Sequence, residues 1–148
     1  MQVIRLCKGT GEEGKSHCVM AATSIVSGEE FSDSPSCVCP AITRALIIIN
    51  DRCPSDAIRE RLLGHLPWLI IGTRSADLAV SVRRAQMFAE YADAADAAAA
   101  AAAYAADAAW EASMKGFIDF IENEIIPVHT TMPIEKDYSG LVVREVVA

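Results

Sequence analysis

Aromatic residues are scarce in this chain: four Phe, three Tyr and two Trp among 148 residues. That weighs against a surface for stacking nucleic-acid bases, which relies on successive aromatic rings. Basic charge is also in short supply. Thirteen Lys and Arg stand against twenty Asp and Glu, giving a formal net charge of -7. The deficit is concentrated, since residues 90–148 carry eleven acidic and three basic side chains. Such a segment repels a phosphate backbone before contact, so direct nucleic-acid binding is disfavoured and a cationic protein surface becomes the favoured partner.

No long apolar run is free of charge. Residues 92–112 come nearest, but Asp93, Asp96, Asp107 and Glu111 interrupt them, and alanine gains little on transfer to lipid, so a soluble helix is expected there and no membrane span. A basic leader followed by an apolar run and a small-residue cleavage site is lacking, so no secretion signal is expected. The five cysteines, Cys7, Cys18, Cys37, Cys39 and Cys53, form an odd set that favours a reducing, cytoplasmic compartment over a paired disulfide framework.

What the chain has in excess is alanine. It supplies 25 residues, 15 of them between Ala92 and Ala112, so the mean hydropathy of +0.25 overstates the bulky core. The length suits one domain, residues 1–148, and leaves little material for a second.

The fold class expected is mainly α: a compact helical domain with a long alanine-rich helix and a small two-stranded β element. Val3 to Cys7 reads as a short strand, followed by a glycine turn. Ser16 is placed to cap a helix that begins near His17 and ends before Gly28. Glu29 to Cys39 reads as irregular. Pro40 suits the first turn of a helix to about Ile49 that buries Ile42, Leu46 and Ile49, with a strand over Ile47, Ile48 and Ile49 as the competitor. Ser55 caps a further helix whose apolar face is Ile58, Leu62 and Leu63, ending at Gly64. A turn follows at Leu66, Pro67 and Trp68. The long helix is expected over residues 75–115, favoured by the high helix propensity of alanine. Phe117 to Ile126 repeats a helical apolar spacing, and Leu141 to Val147 has the β-branched character of a strand that pairs with the N-terminal one.

On the long helix, at ~100° per residue, Asp93, Asp96, Tyr104, Asp107 and Glu111 share one face with Glu90 at its edge. Met87, Tyr91, Ala95, Ala98, Ala102 and Ala106 occupy the other side, a shallow face that permits close approach of a helix from the same domain or from a second subunit. Glu111 and Lys115 are spaced for an i,i+4 ion pair.

Three fragments resemble chemical motifs. Gly9 to Ser16 matches G-x-x-x-x-G-K-S, in which Gly9, Gly14, Lys15 and Ser16 would cradle phosphates ahead of a helix, with Asp51 supporting magnesium. Against it, Glu12 and Glu13 place two carboxylates in the cradle. His17, Cys18, Cys37, Cys39 and Cys53 are donors for a structural zinc, although the Cys37-x-Cys39 spacing is tighter than a zinc knuckle's and small buried cysteines are the plainer reading. Cys18 near a helix N-terminus, with His65 or His129 as base and Asp137 orienting His129, is a third arrangement, against ordinary buried or locally bonded residues.

Cys18 to Ala22, the segment Ser27 to Pro40 with its Cys37-Val38-Cys39-Pro40 run, Gly72-Thr73-Arg74 and the alanine-rich tail together resemble a group of uncharacterised alanine-rich proteins of bacteria and their phages. The likeness covers roughly the first 115 residues. It implies no enzyme activity, transfers no catalytic residue, and rests on the cysteine loop rather than the glycine loop.

The function expected is a small non-enzymatic interaction module, or a phage-related modulator of a host complex. Its site is an acidic helix face of Glu90, Asp93, Asp96, Tyr104, Asp107 and Glu111, with no cofactor and with self-association through the alanine face as a further use. The alternatives are a compact magnesium-dependent nucleotide-binding enzyme and a zinc-stabilised binding module.

Overall fold

The computed structural model describes residues 2–12, 15–101, 111, 114–119, 121–125 and 143–145. The protein is mainly helical with a small two-stranded sheet. In that sheet β1 (Gln2–Ile4) pairs antiparallel with β4 (Val143–Glu145), in the register Gln2 to Glu145, Val3 to Arg144 and Ile4 to Val143. The expected partnership between the N-terminal strand and the 141–147 segment is therefore observed.

The glycine turn differs from expectation. β2 (Gly11–Glu12) and β3 (Ser16–His17) form a hairpin in which Glu12 faces Ser16 and Gly11 faces His17. Gly11 has φ of 83°, and a Cβ on it would run into the Ser16 backbone. Glycine is needed there on both counts. Because Ser16 is held in the hairpin, it does not cap the first helix. Cys18 does so, its sulfur accepting the Ala21 N–H at 3.3 Å, and α1 spans Val19–Ser27. Gly28 closes α1 in the left-handed region at φ 75°, its N–H donating to Ile25 at 3.0 Å while that of Glu29 donates to Ser24 at 2.9 Å. This is the terminator the glycine predicts.

Helix α1 is central. Val19, Met20, Ala21, Ala22, Thr23 and Ser24 are all fully buried, so both sides of the helix meet protein, and α2 and α4 pack on it. Thr23 and Ser24 remain tolerable inside because their hydroxyls donate to the Val19 and Ala21 carbonyls at 2.7 and 2.8 Å, satisfying buried polar atoms within the helix.

Helix α2 (Pro40–Arg52) carries Pro40 in its first turn and buries Ile42, Leu46 and Ile49 as the spacing predicts. The competing strand over Ile47, Ile48 and Ile49 is not formed. Its C-terminal end is sealed by the buried Arg59, which donates to the Asn50 and Cys53 carbonyls at 2.8 and 3.3 Å and pairs with Asp56. The orphan carbonyls of a helix end thus receive a cation.

Ser55 caps α3 (Asp56–Leu63), its hydroxyl accepting the Ile58 N–H at 3.3 Å. Gly64 follows, and its carbonyl accepts the Ile4 N–H at 2.8 Å. Its φ of -65° suits any residue. Glycine is required instead by closeness, because a Cβ would strike the Val3 side chain and the Ile4 carbonyl. The turn expected at Leu66 is a single helical turn, α4 (Leu66–Leu69).

The long helix α5 spans Leu78–Ala101, three residues later at its start than the expected Ser75. Asp77 accounts for the shift: its carboxylate accepts the Ala79 N–H at 2.9 Å, while Ser75 accepts from Asp77 at 3.1 Å. Residues 102–110 lie outside the described residues. Beyond them, 114–119 are helical and Ile121–Ile125 form a π-helical turn, where a short helix was expected. Phe117, Ile118 and Ile121 join the main core, and Phe88 of α5 meets Phe117 at 4.7 Å between ring centroids. Lys115 pairs with Asp119 at 2.9 Å, replacing the expected pair with Glu111.

Candidate functional site

Glu90, the first residue of the expected acidic strip, is exposed on α5. One edge of the helix is tied down: Arg84 donates to the Thr73 carbonyl at 2.6 Å, Ser81 Oγ lies 3.7 Å from Cys39 Sγ, and Phe88 is buried against Phe117. The other edge faces water. Leu78 is 76% exposed, Val82 is 47% exposed, and Arg83, Ala89 and Glu90 are exposed as well. Asp93 and Asp96 continue the helix at the spacing that places them on one face with Glu90 at its edge, their side chains being outside the described set. Tyr104 and Asp107 lie outside the described residues.

Glu111 has a different partner from the one its spacing suggests. Arg61 of α3 donates Nε to Glu111 Oε1 at 2.7 Å and Nη2 to Oε2 at 2.6 Å. This two-pronged bond holds the Glu111 carboxyl below its usual pKa and raises that of Arg61.

At the glycine loop, the structure brings Gly9 and Asp51 together in a structural role. Asp51 Oδ1 accepts the Gly9 N–H at 3.0 Å and the Asn50 amide at 3.3 Å. Lys15 is bonded to Glu12 at 2.6 Å. Ser16 sits in β3, paired with Glu12, and Gly14 lies outside the described residues. The described residues of this loop form a hairpin in which Lys15 bonds Glu12 and Gly9 bonds Asp51.

Among the described residues no three His, Cys, Asp or Glu side chains form a group suited to a metal ion. His17 is buried edge-on to Phe31 at 5.7 Å, Cys18 caps α1, and Cys53 donates to the Ser55 carbonyl at 3.5 Å. Burial pushes the thiols of Cys18, Cys37 and Cys53 above their ordinary pKa. Cys39 differs: burial opposes its ionisation, but Arg84, the Ile42 N–H, the Ser81 hydroxyl and the Ala41 N–H outweigh it and lower the pKa. Of the third arrangement, His65 bonds to Glu122, whereas His129 and Asp137 lie outside the described residues.

Two groups that the sequence pattern did not single out join the Cys37 to Pro40 segment to the Gly72 to Arg74 turn. The Cys37 carbonyl accepts the N–H groups of Gly72 and Arg74 at 3.1 and 3.2 Å, and Arg74 Nη1 donates to the Ser36 carbonyl at 3.2 Å. From the other side, Glu29 accepts the N–H groups of Ser36 and Cys37 at 2.5 and 3.0 Å. Burial works against the Glu29 charge, yet the Cys37 thiol, the Ser36 N–H and hydroxyl, and the Cys37 N–H together lower its pKa to about 2. The signal available was an acid just after a helix-ending glycine, ahead of a loop with free N–H groups, but its partners lie seven and eight residues away.

No family model, curated protein or solved structure matches the chain. No helix among the described residues is long and apolar enough to cross a membrane.

Proposed function

We propose that this protein is a non-enzymatic interaction module that presents the outer face of α5, with the acids Glu90, Asp93 and Asp96, to a cationic surface on a partner protein. The observation that carries the reading is the one-sided attachment of α5. A 24-residue helix is about 36 Å long, and its attachments at Ser81, Arg84 and Phe88 leave Leu78, Val82 and Glu90 in water. A helix presented in this way has apolar anchors beside charge, the pairing that helix-docking interfaces use.

The internal use of other candidate polar groups supports the same reading. Asp51 and Lys15 are engaged with Gly9 and Glu12, and Glu111 with Arg61, so Glu111 serves the fold more than the strip. As part of this proposal, the segments Cys37 to Pro40 and Gly72 to Arg74, by their resemblance to segments of bacterial and phage proteins, favour a modulator of a host complex in the cytoplasm as the setting for such a surface. Self-association through the small alanine side chains of the tract belongs to the same proposal, because they permit close helix approach.

The test is to recover the partner from the native host with the full chain, purify it, and compare its binding to the wild type and to the variant carrying Asp93→Lys, Asp96→Lys and Asp107→Lys. A fall of about tenfold or more, with helical circular dichroism preserved, is expected for a steered charge interface. Equal binding would contradict the proposal.

A further inference from the structure

Cys7 and Cys18 are the residues that follow the bridged pair Leu6 and His17, where the N-terminal strand runs beside the entry to α1. Leu6 and His17 form a parallel bridge, and the Cys7 N–H donates to the His17 carbonyl at 2.9 Å. The chain at Cys18 is still extended, with φ -74° and ψ 169°. Continued parallel pairing would set the next residues along, Cys7 and Cys18, opposite each other at about 4.8 Å with side chains on one face; here the Asn50 amide takes the place of the next strand bond, between the Cys7 carbonyl and the Val19 N–H. Disulfides bridge Cα separations of about 4.4–6.8 Å.

A buried side chain ties the two segments together. Asn50 donates its amide to the Cys7 carbonyl at 2.9 Å and accepts the Val19 N–H at 3.3 Å, so one side chain grips both segments. The thiols differ in access, Cys7 being half-buried and Cys18 buried. Burial chiefly raises the Cys18 pKa, the Ala21 and Met20 N–H groups oppose it, and Asp33 and Cys7 add to the rise.

We propose that Cys7 and Cys18 are a redox-reactive dithiol that takes a low-molecular-weight disulfide as oxidant and closes an intramolecular disulfide across the base of the glycine hairpin. In the first step the Cys7 thiolate attacks one sulfur of the small disulfide, forming a mixed disulfide and expelling one small thiolate. In the second, the Cys18 thiolate attacks the Cys7 sulfur and expels the other. The two protein protons pass to the two leaving thiolates, and the electron pair lost by the protein reduces the small disulfide. Closure converts the Cys18 sulfur from a free cap of α1 into part of a bridge, coupling the oxidation state to the start of the central helix.

The experiment treats the folded full chain with oxidised glutathione, quenches with acid and alkylation, and maps the products after cleavage at Lys and Arg and then at Glu, which separates Cys18 from Cys37 and Cys39. The expected product joins the Cys7 and Cys18 peptides with loss of two hydrogen atoms, at least about tenfold above any Cys37–Cys39 link. Cys18→Ser, which keeps a capping oxygen, should stop at a glutathione adduct on Cys7. In the wild type, closure from that adduct should accelerate as pH rises toward the raised Cys18 pKa. Oxidation that stops at the Cys7 adduct in the wild type, favours Cys37–Cys39, or closes at a pH-independent rate would overturn the proposal.

Discussion

Thr73 binds the start of α2: its hydroxyl oxygen accepts the Cys39 N–H at 3.2 Å while its proton goes to the Ile70 carbonyl at 2.7 Å. Both bonds are buried. The Gly72-Thr73-Arg74 turn is thereby locked to the Cys37-Val38-Cys39-Pro40 segment. Thr73→Val keeps the shape and removes both bonds, leaving a buried N–H unpaired, and should cost about 1–3 kcal/mol in denaturant unfolding. Thr73→Ser should recover most of that loss.

Glu29 gives the fold a dependence on acid. Its folded pKa of about 2 lies below the reference 4.5, so the carboxylate contributes stability that is fully present above 4.5 and lost as pH falls toward about 2. Solvent reaches the group, so the contribution is about 1–2 kcal/mol, less than the whole shift would imply. Glu29→Gln should flatten the stability profile over that window, as measured by unfolding at a series of pH values.

The helix boundaries set by local chemistry were the legible part of the fold. Gly28, Pro40, Ser55 and the Ile42, Leu46, Ile49 spacing each act within a turn or two of the chain, and each marks the element expected. The first turn of α1 was misplaced because Ser16 has a strand partner at Glu12, and a cysteine, not among the favoured caps, takes over two residues later. The candidate site was legible only in its charge pattern. Which acids remain outward depends on contacts far apart in sequence, and Glu111 illustrates this: its near neighbour Lys115 bonds to Asp119, while its own partner Arg61 lies fifty residues earlier.

Arg61 and Glu111 should therefore couple in a double-mutant cycle. Arg61→Gln and Glu111→Gln should each lower the thermal midpoint, with the double variant less affected than the summed singles. Added salt should shrink the coupling, since Arg61 is exposed. With the Glu111 pKa lowered, the pair's contribution should hold above the ordinary carboxylate pKa and fade as pH falls through the lowered folded value.

Docking through the outer face of α5 is checked by hydrogen exchange measured on the full chain with and without its purified partner. Partner binding should slow amide exchange within Leu78–Ala101 and leave the buried amides of α1 unchanged. Protection confined to the glycine hairpin or to α3, with α5 exchanging as in the free protein, would contradict it.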